Sequence, residues 1–299
     1  MNEKEKQLQS AIRTAFTGVC TATIATAITV TGAITSNSVA IIADMLATIF
    51  EFLAILLSWL TLRRICRHDA GTFNYGYGKL EGLVSMAVAV MMFLSLGIVA
   101  FNAVRRFGQP QLIAGFGAWL MLMAHFIFGF INGSLFFRSF KLARQQQSSL
   151  LSSQARLFAT KAFANICMVA ALSTGLLLQH YRWVSYIDPA VSILIAAGMF
   201  FGAYSIIRKN ISDLLDKTLE EHFQILILRE LSAFFEDYTA FHGLRSRKSG
   251  KNIYIEVFLE FDGSKPHAEV QRIMDRIKAA LETVIPDSDV TIASTIKPI

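Results

Sequence analysis

The chain alternates between long stretches without charge and short connections that carry it. No Asp, Glu, Lys or Arg lies between Arg13 and Asp44, between Glu81 and Arg105, or between Arg106 and Arg138. Each interval holds the roughly 20 residues that a helix needs to cross the hydrocarbon of a bilayer. Three further apolar runs carry few charges. One, from about Val39 to Leu62, is broken only by Asp44 and Glu51; another, from about Ser152 to Leu178, contains Arg156 and Lys161; the last follows Asp188 to Ile207. The pattern predicts six transmembrane helices. The first is not a removable signal sequence, because its apolar run is too long for one and leads directly into a second span.

After Lys209 the periodicity is that of a water-soluble module. Leu219 to Tyr238 has helical spacing (Phe223, Ile227, Leu231, Phe234), with Glu220 and Glu221 in a first turn where acids suit the macrodipole. Phe241 to Arg247 and Ile253 to Phe261 read as strands around the turn Lys248 to Lys251, and the second alternates through Ile253, Ile255, Val257 and Leu259. Pro266 to Val284 is a second amphipathic helix, with Val270, Ile273, Ile277 and Leu281 on one stripe, and Val290 to Thr295 a third strand. The fold class is therefore an α-helical membrane protein, residues 1–209, followed by a small α+β domain of order α-β-β-α-β, residues 210–299.

Composition agrees with two media. Of 299 residues 54% are hydrophobic and 17% charged, and the mean hydropathy is +0.47, too apolar for a purely soluble chain. Seven acids face fifteen Lys and Arg up to residue 207, whereas the remainder carries fifteen acids and thirteen bases. The net charge of +6 thus originates beside the membrane segments, where basic residues set orientation, and no basic face with interleaved aromatics points to nucleic acid. Lys and Arg cluster before span 1, between spans 2 and 3, between spans 4 and 5, and after span 6; the opposite side has only Arg105, Arg106 and Arg182. Both termini are accordingly expected in the cytoplasm of a multi-pass protein, with Tyr181 and Trp183 at the outer interface. Asp188-Pro189 reads as an N-cap followed by proline at the first helical position. The three cysteines, Cys20, Cys66 and Cys167, form no CxxC pair and predict neither a disulfide framework nor a zinc ribbon.

Ionisable groups at membrane depth are the sharpest chemical signal, since burying them in lipid is costly. Glu51 falls near the centre of span 2, and Lys161 and Asn165 near the centre of span 5, one turn apart on a shared face. Asp44, seven residues before Glu51, lies on the same face of span 2. Two readings stand side by side: a polar site handling a cation or protons, or an ion pair of Glu51 with Lys161 that only packs the bundle. His125 in span 4 and His180 in an outer loop lack a clear second ligand. Cys66, His68 and Asp69 are able to bind a soft or borderline metal, although a flexible surface loop accounts for them better. His222, His242 and His267 are dispersed. No GxSxG, HExxH, GxxxxGK or GxGxxG motif occurs in a suitable context, so an enzyme is not expected and no cofactor is implied.

Several of these stretches together resemble the cation diffusion facilitator family. They are Ser38 to Asp44 entering span 2, Asn74-Tyr75-Gly76-Tyr77-Gly78-Lys79-Leu80-Glu81 entering span 3, Asp188-Pro189, Leu214-Leu215-Asp216, and His242 to Gly250 in the first strand and turn. The resemblance covers nearly the whole chain and marks Lys79, Glu81 and Asp188 as further residues of interest. It implies a homodimeric antiporter in a bacterial inner membrane, joined through its membrane and cytoplasmic parts, that exports a divalent metal such as zinc, iron or manganese in exchange for protons. It also implies a tetrahedral metal site with two ligands four residues apart on span 2 and two on span 5. The matching positions here are Ala47 and Glu51, and Lys161 and Asn165. Ala47 cannot ligate, Asn165 offers only a carbonyl oxygen, and a protonated Lys161 adds positive charge; Glu51, Asp44 and Asn165 are what is left as candidate ligands. Histidines usual in the family are replaced by Phe73 and Tyr77 before span 3, and by Phe258, Gln271 and Ala293 in the soluble domain. A non-transporting relative acting as a dimer partner or regulator is the alternative.

Overall fold

The computed structural model describes residues 3–36, 39–67, 77–108, 116–178, 180–250 and 252–297. The chain separates into two compact units, Met1–Thr72 with Leu80–Asn210 and Phe73–Lys79 with Ile211–Ile299.

The first unit is built from α1 (Glu3–Ser36), α2 (Val39–Arg67), α3 (Gly78–Gly108), α4 (Phe116–Gln146), α5 (Ser149–Leu177) and α6 (Ile187–Leu214), the last two helices connected through a short 3-10 turn at Arg182–Tyr186. Among the described residues six helices are long and apolar enough to cross a membrane. Each run thus closes its backbone hydrogen bonds within itself, as hydrocarbon requires. Outward positions are apolar: Phe130 is 76% exposed, and Leu83, Phe101, Phe126 and Phe201 are also exposed. Inward positions mix small and polar residues with large apolar ones, including Ala11, Ala15, Ala54, Ser58, Ser85, Ser95, Met92 and Phe158, the composition that lets helix backbones approach in lipid.

Local capping fixes several boundaries. α4 and α5 are separated by Gln147 and Ser148 alone; Gln147 takes φ 48°, the left-handed conformation that ends many helices. Ser148 then caps α5 by accepting the Leu151 N–H at 3.2 Å. The Asp188 expectation needs correction. Asp188 does not precede α6 as its cap but lies in its first turn, because the 3-10 turn at Arg182–Tyr186 leads into the helix at Ile187, two residues before Pro189. Its carboxylate accepts a hydrogen bond from Arg106 near the end of α3.

The second unit holds α7 (Glu221–Ser232), β1 (Ala240–Ser249), β2 (Asn252–Glu260), α8 (His267–Val284) and β3 (Ser288–Ser294). The sheet order is β1-β2-β3, with β1 antiparallel and β3 parallel to β2. Ile253, Ile255, Val257 and Leu259 turn one face of β2 into a core with Ile227 and Leu231 of α7 and Ile273, Ile277 and Leu281 of α8. Period two on the strand meets period 3.6 on the helices, and one face of the sheet is covered.

The helix expected to reach Tyr238 ends at Ser232. Beyond it the N–H groups of Ala233, Phe234, Phe235 and Asp237 donate to carbonyls three residues back, so the chain tightens into turns that keep Phe234 against the core and leave Phe235 outside. Gly78 and Gly250 meet within this unit: a Cβ on Gly78 would come 2.5 Å from the Gly250 nitrogen, and Gly250 has φ 63°. Neither position accepts a side chain without displacing backbone.

Candidate functional site

Glu51 projects from near the middle of α2 and Lys161 from near the middle of α5. Their charged ends meet, Lys161 Nζ to Glu51 Oε2 at 2.7 Å, with side chains 15% and 19% exposed. One turn along α5, the Asn165 amide donates from Nδ2 to the Lys161 carbonyl at 2.8 Å, while its Oδ1 lies 2.9 Å from Nδ1 of His125 on α4. The structure therefore joins α2, α5 and α4 through a chain Glu51, Lys161, Asn165, His125. Gly129, one turn from His125, makes room for Asn165: a Cβ there would stand 3.3 Å from the Asn165 Cβ.

His125 is the member that span-by-span reading misses. Its signal was the one titratable side chain in a stretch without Asp, Glu, Lys or Arg between Arg106 and Arg138. Ala47, one turn before Glu51 on α2, is buried; its carbonyl accepts the Ser95 hydroxyl of α3 at 3.0 Å. It presents a methyl group where a ligand would stand. Asp44 belongs to α2, but its side chain is outside the described residues, as are the Cys66 side chain and all of His68, Asp69 and Phe73. Among the described residues no three His, Cys, Asp or Glu side chains gather in a way that holds a metal.

The electrostatics of the pair limit what it can take up. At about 4 Å and an effective dielectric near 20, each unit of like charge meets roughly 4 kcal/mol of repulsion, so a dication beside protonated Lys161 meets roughly twice that. Lys161 already supplies the cation that Glu51 needs. Binding an external cation at Glu51 requires Lys161 to turn aside or lose its proton.

Three other residues marked by the sequence lie elsewhere. Glu81, near the start of α3, accepts the Ser148 hydroxyl at 2.6 Å and the backbone N–H groups of Ser149 and Leu150, an acid set on the N-terminus of α5. Lys79, in the second unit, pairs with Asp216 at 2.9 Å, and Arg247 approaches the same carboxylate oxygen at 3.6 Å. Asp188 holds Arg106. In the sheet, Phe258 and Ala293 stand side by side in the β2–β3 register, with Arg245 over the Phe258 ring at 5.7 Å. Gln271 bonds Asp275 at 2.9 Å on the exposed face of α8. His242 pairs with Glu260 at 2.7 Å and His222 with Glu220 at 3.7 Å, so these dispersed histidines have acidic partners within the domain.

Comparison with known proteins agrees with both units. Residues 15–215 match the family model described as the cation efflux transmembrane domain, and residues 211–293 the one described as the cation efflux protein cytoplasmic domain. Protein p34 of Rickettsia rickettsii is 21% identical over 294 residues, covering 97% of this chain and 93% of that protein. A cation-efflux pump FieF of Shewanella oneidensis is 26% identical over 244 residues (80% and 77%), and one of Pectobacterium atrosepticum 22% over 263 residues (86% and 83%). The cytoplasmic match is to a dimerisation module and points to a homodimer. With six apolar helices ahead of that module, the chain is a multi-pass integral membrane protein and not an enzyme, and it belongs to the cation efflux (cation diffusion facilitator) family of metal cation transporters.

Proposed function

We propose that this chain is a secondary transporter that carries a divalent metal cation, with zinc, iron and manganese as the candidates, out across a bacterial inner membrane in exchange for protons. It acts as a homodimer with both termini in the cytoplasm, in keeping with the bias of Lys and Arg toward one side of the bundle. The observation that carries this reading is the Glu51–Lys161 contact at 2.7 Å between α2 and α5. An acid and an amine inside a membrane bundle are costly to maintain and mark ion pathways. Glu51 is the carboxylate that exchanges cation for proton, Lys161 the internal counter-charge that occupies it between turnovers, and Asn165 a neutral oxygen ligand. Asp44, two turns along α2 or about 10 Å at 1.5 Å per residue, is a stepping point toward the outer side. The FieF pumps named above lend the substrate class.

A second reading has its own observation. Ala47 offers no ligand, and Asn165 is already committed to His125 and the Lys161 carbonyl. A relative that keeps the fold as a partner subunit and transports nothing would show these substitutions. Purified protein in proteoliposomes decides between them. Imposed gradients of zinc, iron, manganese and a monovalent panel are expected to drive proton flux for at least one ion, and Glu51→Gln to reduce that flux to background. A panel that drives none supports the partner reading.

A further inference from the structure

One turn from the ion pair, toward the end of the bundle where α1 begins and α6 ends, an aromatic ring fills the interior. Phe158 precedes Lys161 by three residues on α5, and Ile55 follows Glu51 by four on α2, so both helices present an apolar side chain at the next level. The two converge on Gly18 of α1: a Cβ there would come 2.6 Å from Phe158 Cζ and 3.4 Å from Ile55 Cγ2. Phe158 therefore fills a notch that exists because residue 18 has no side chain. Phe158 and Ile55 are each only 1% exposed, whereas Glu51 and Lys161 keep 19% and 15%.

On the far side of this ring the bundle becomes polar again. The antiparallel register of α2 and α5 that sets Glu51 against Lys161 brings Ser58 to the level of Gln154, both fully buried. Among the described residues neither polar atom of the Gln154 carboxamide has a partner, nor do the buried hydroxyls of Ser139 and Ser149. A buried amide satisfied by nothing is costly, so such a group calls for water or a passing polar species. A buried polar tier, an apolar ring and a charged pair thus follow one another along the bundle.

We infer that Phe158, seated in the Gly18 notch, is the inner gate of the pathway, separating the Glu51–Lys161 pair from a hydrated vestibule lined by Gln154. The inference rests on the transport reading, since a gate presupposes a pathway, but its test reads closure without ion flux. In a chain whose Cys20, Cys66 and Cys167 are replaced by serine, single cysteines are placed at Gln154 and at Ala47, and a charged, membrane-impermeant thiol reagent is added from the face where α1 begins. Gln154→Cys is expected to react and Ala47→Cys to be protected. Phe158→Ala is expected to speed reaction at Ala47→Cys by at least about tenfold, equivalent to roughly 1.4 kcal/mol lost by the closed state. Because Phe158→Ala disturbs packing, Gly18→Ala is the second probe. It pushes the ring from its notch and is expected to expose Ala47→Cys, and adding Phe158→Leu to Gly18→Ala to restore protection. Equal reaction at Ala47→Cys with and without the ring, or protection of Gln154→Cys in every variant, overturns the gate. Protection lifted on schedule in a protein without flux leaves the gate and removes the transport reading; flux with unchanged labelling does the reverse.

Discussion

The helix bundle and the sheet domain bury opposite things. In the sheet domain Ile255, Val257 and Leu259 face the core while Glu256, between them, is exposed; water outside and apolar contact inside sort the residues by hydrophobicity. In the bundle Phe130 and Phe201 face outward, whereas Ser58, Ser95, Ser139 and Gln154 are buried. Lipid is as apolar as a protein core, so hydrophobicity no longer decides which side faces in, and small size, hydrogen bonding and charge pairing do. Stability in the second unit therefore resides in aliphatic packing and specificity in the first resides in polar pairing.

The sharpest attack on that contrast is on the ion pair. Lys161→Met leaves Glu51 without its partner and is expected to destabilise the purified protein in detergent by about 3–5 kcal/mol. The double variant Glu51→Gln with Lys161→Met should recover most of the loss in the same unfolding experiment, and additive losses would mean that the two charges do not depend on each other. Next comes a matched pair of truncations. Ile277→Ala in α8 is expected to cost about 2–5 kcal/mol, while Phe130→Ala on the outer face of α4 should stay within about 0.5 kcal/mol. A comparable loss for both, followed by thermal unfolding, would erase the distinction between the regions. The smallest effect concerns pH. Asp262 lies outside the spans, and the Ser264 backbone N–H that its carboxylate accepts at 2.9 Å holds its pKa below the ordinary aspartate value. The stabilisation it gives is complete above the unfolded-state pKa and is lost as pH falls through the folded one. Asp262→Asn should therefore lower the neutral plateau of the soluble domain's stability profile slightly and leave the acid end unchanged, so that the acid limb flattens; an unaltered neutral plateau would contradict it.

The same contrast explains what the sequence made legible. Strands and helices of the soluble domain follow from alternation at Ile253 to Leu259 and from the stripe Ile273, Ile277, Leu281, because burial there obeys hydrophobicity. The spans follow from the length of apolar runs with few or no charges, but length does not say which faces meet. Glu51 and Lys161 stood out because charge is rare at that depth; their 2.7 Å contact depends on α2 packing against α5, which no periodicity encodes. His125 was visible as a polar residue yet became part of the site only through Asn165. The α6 start was misplaced by one turn chemistry overriding another, since Asp188 engages Arg106 instead of capping.

The two-residue elbow at Gln147 and Ser148 has a mechanical consequence. With so little slack, α4 and α5 are held as one pair, which carries His125, Asn165 and Lys161. Glu51 rides with α2, which lies along α1. The carboxylate–ammonium contact is thus a clasp between the two helix pairs, and sliding one past the other would require it to open.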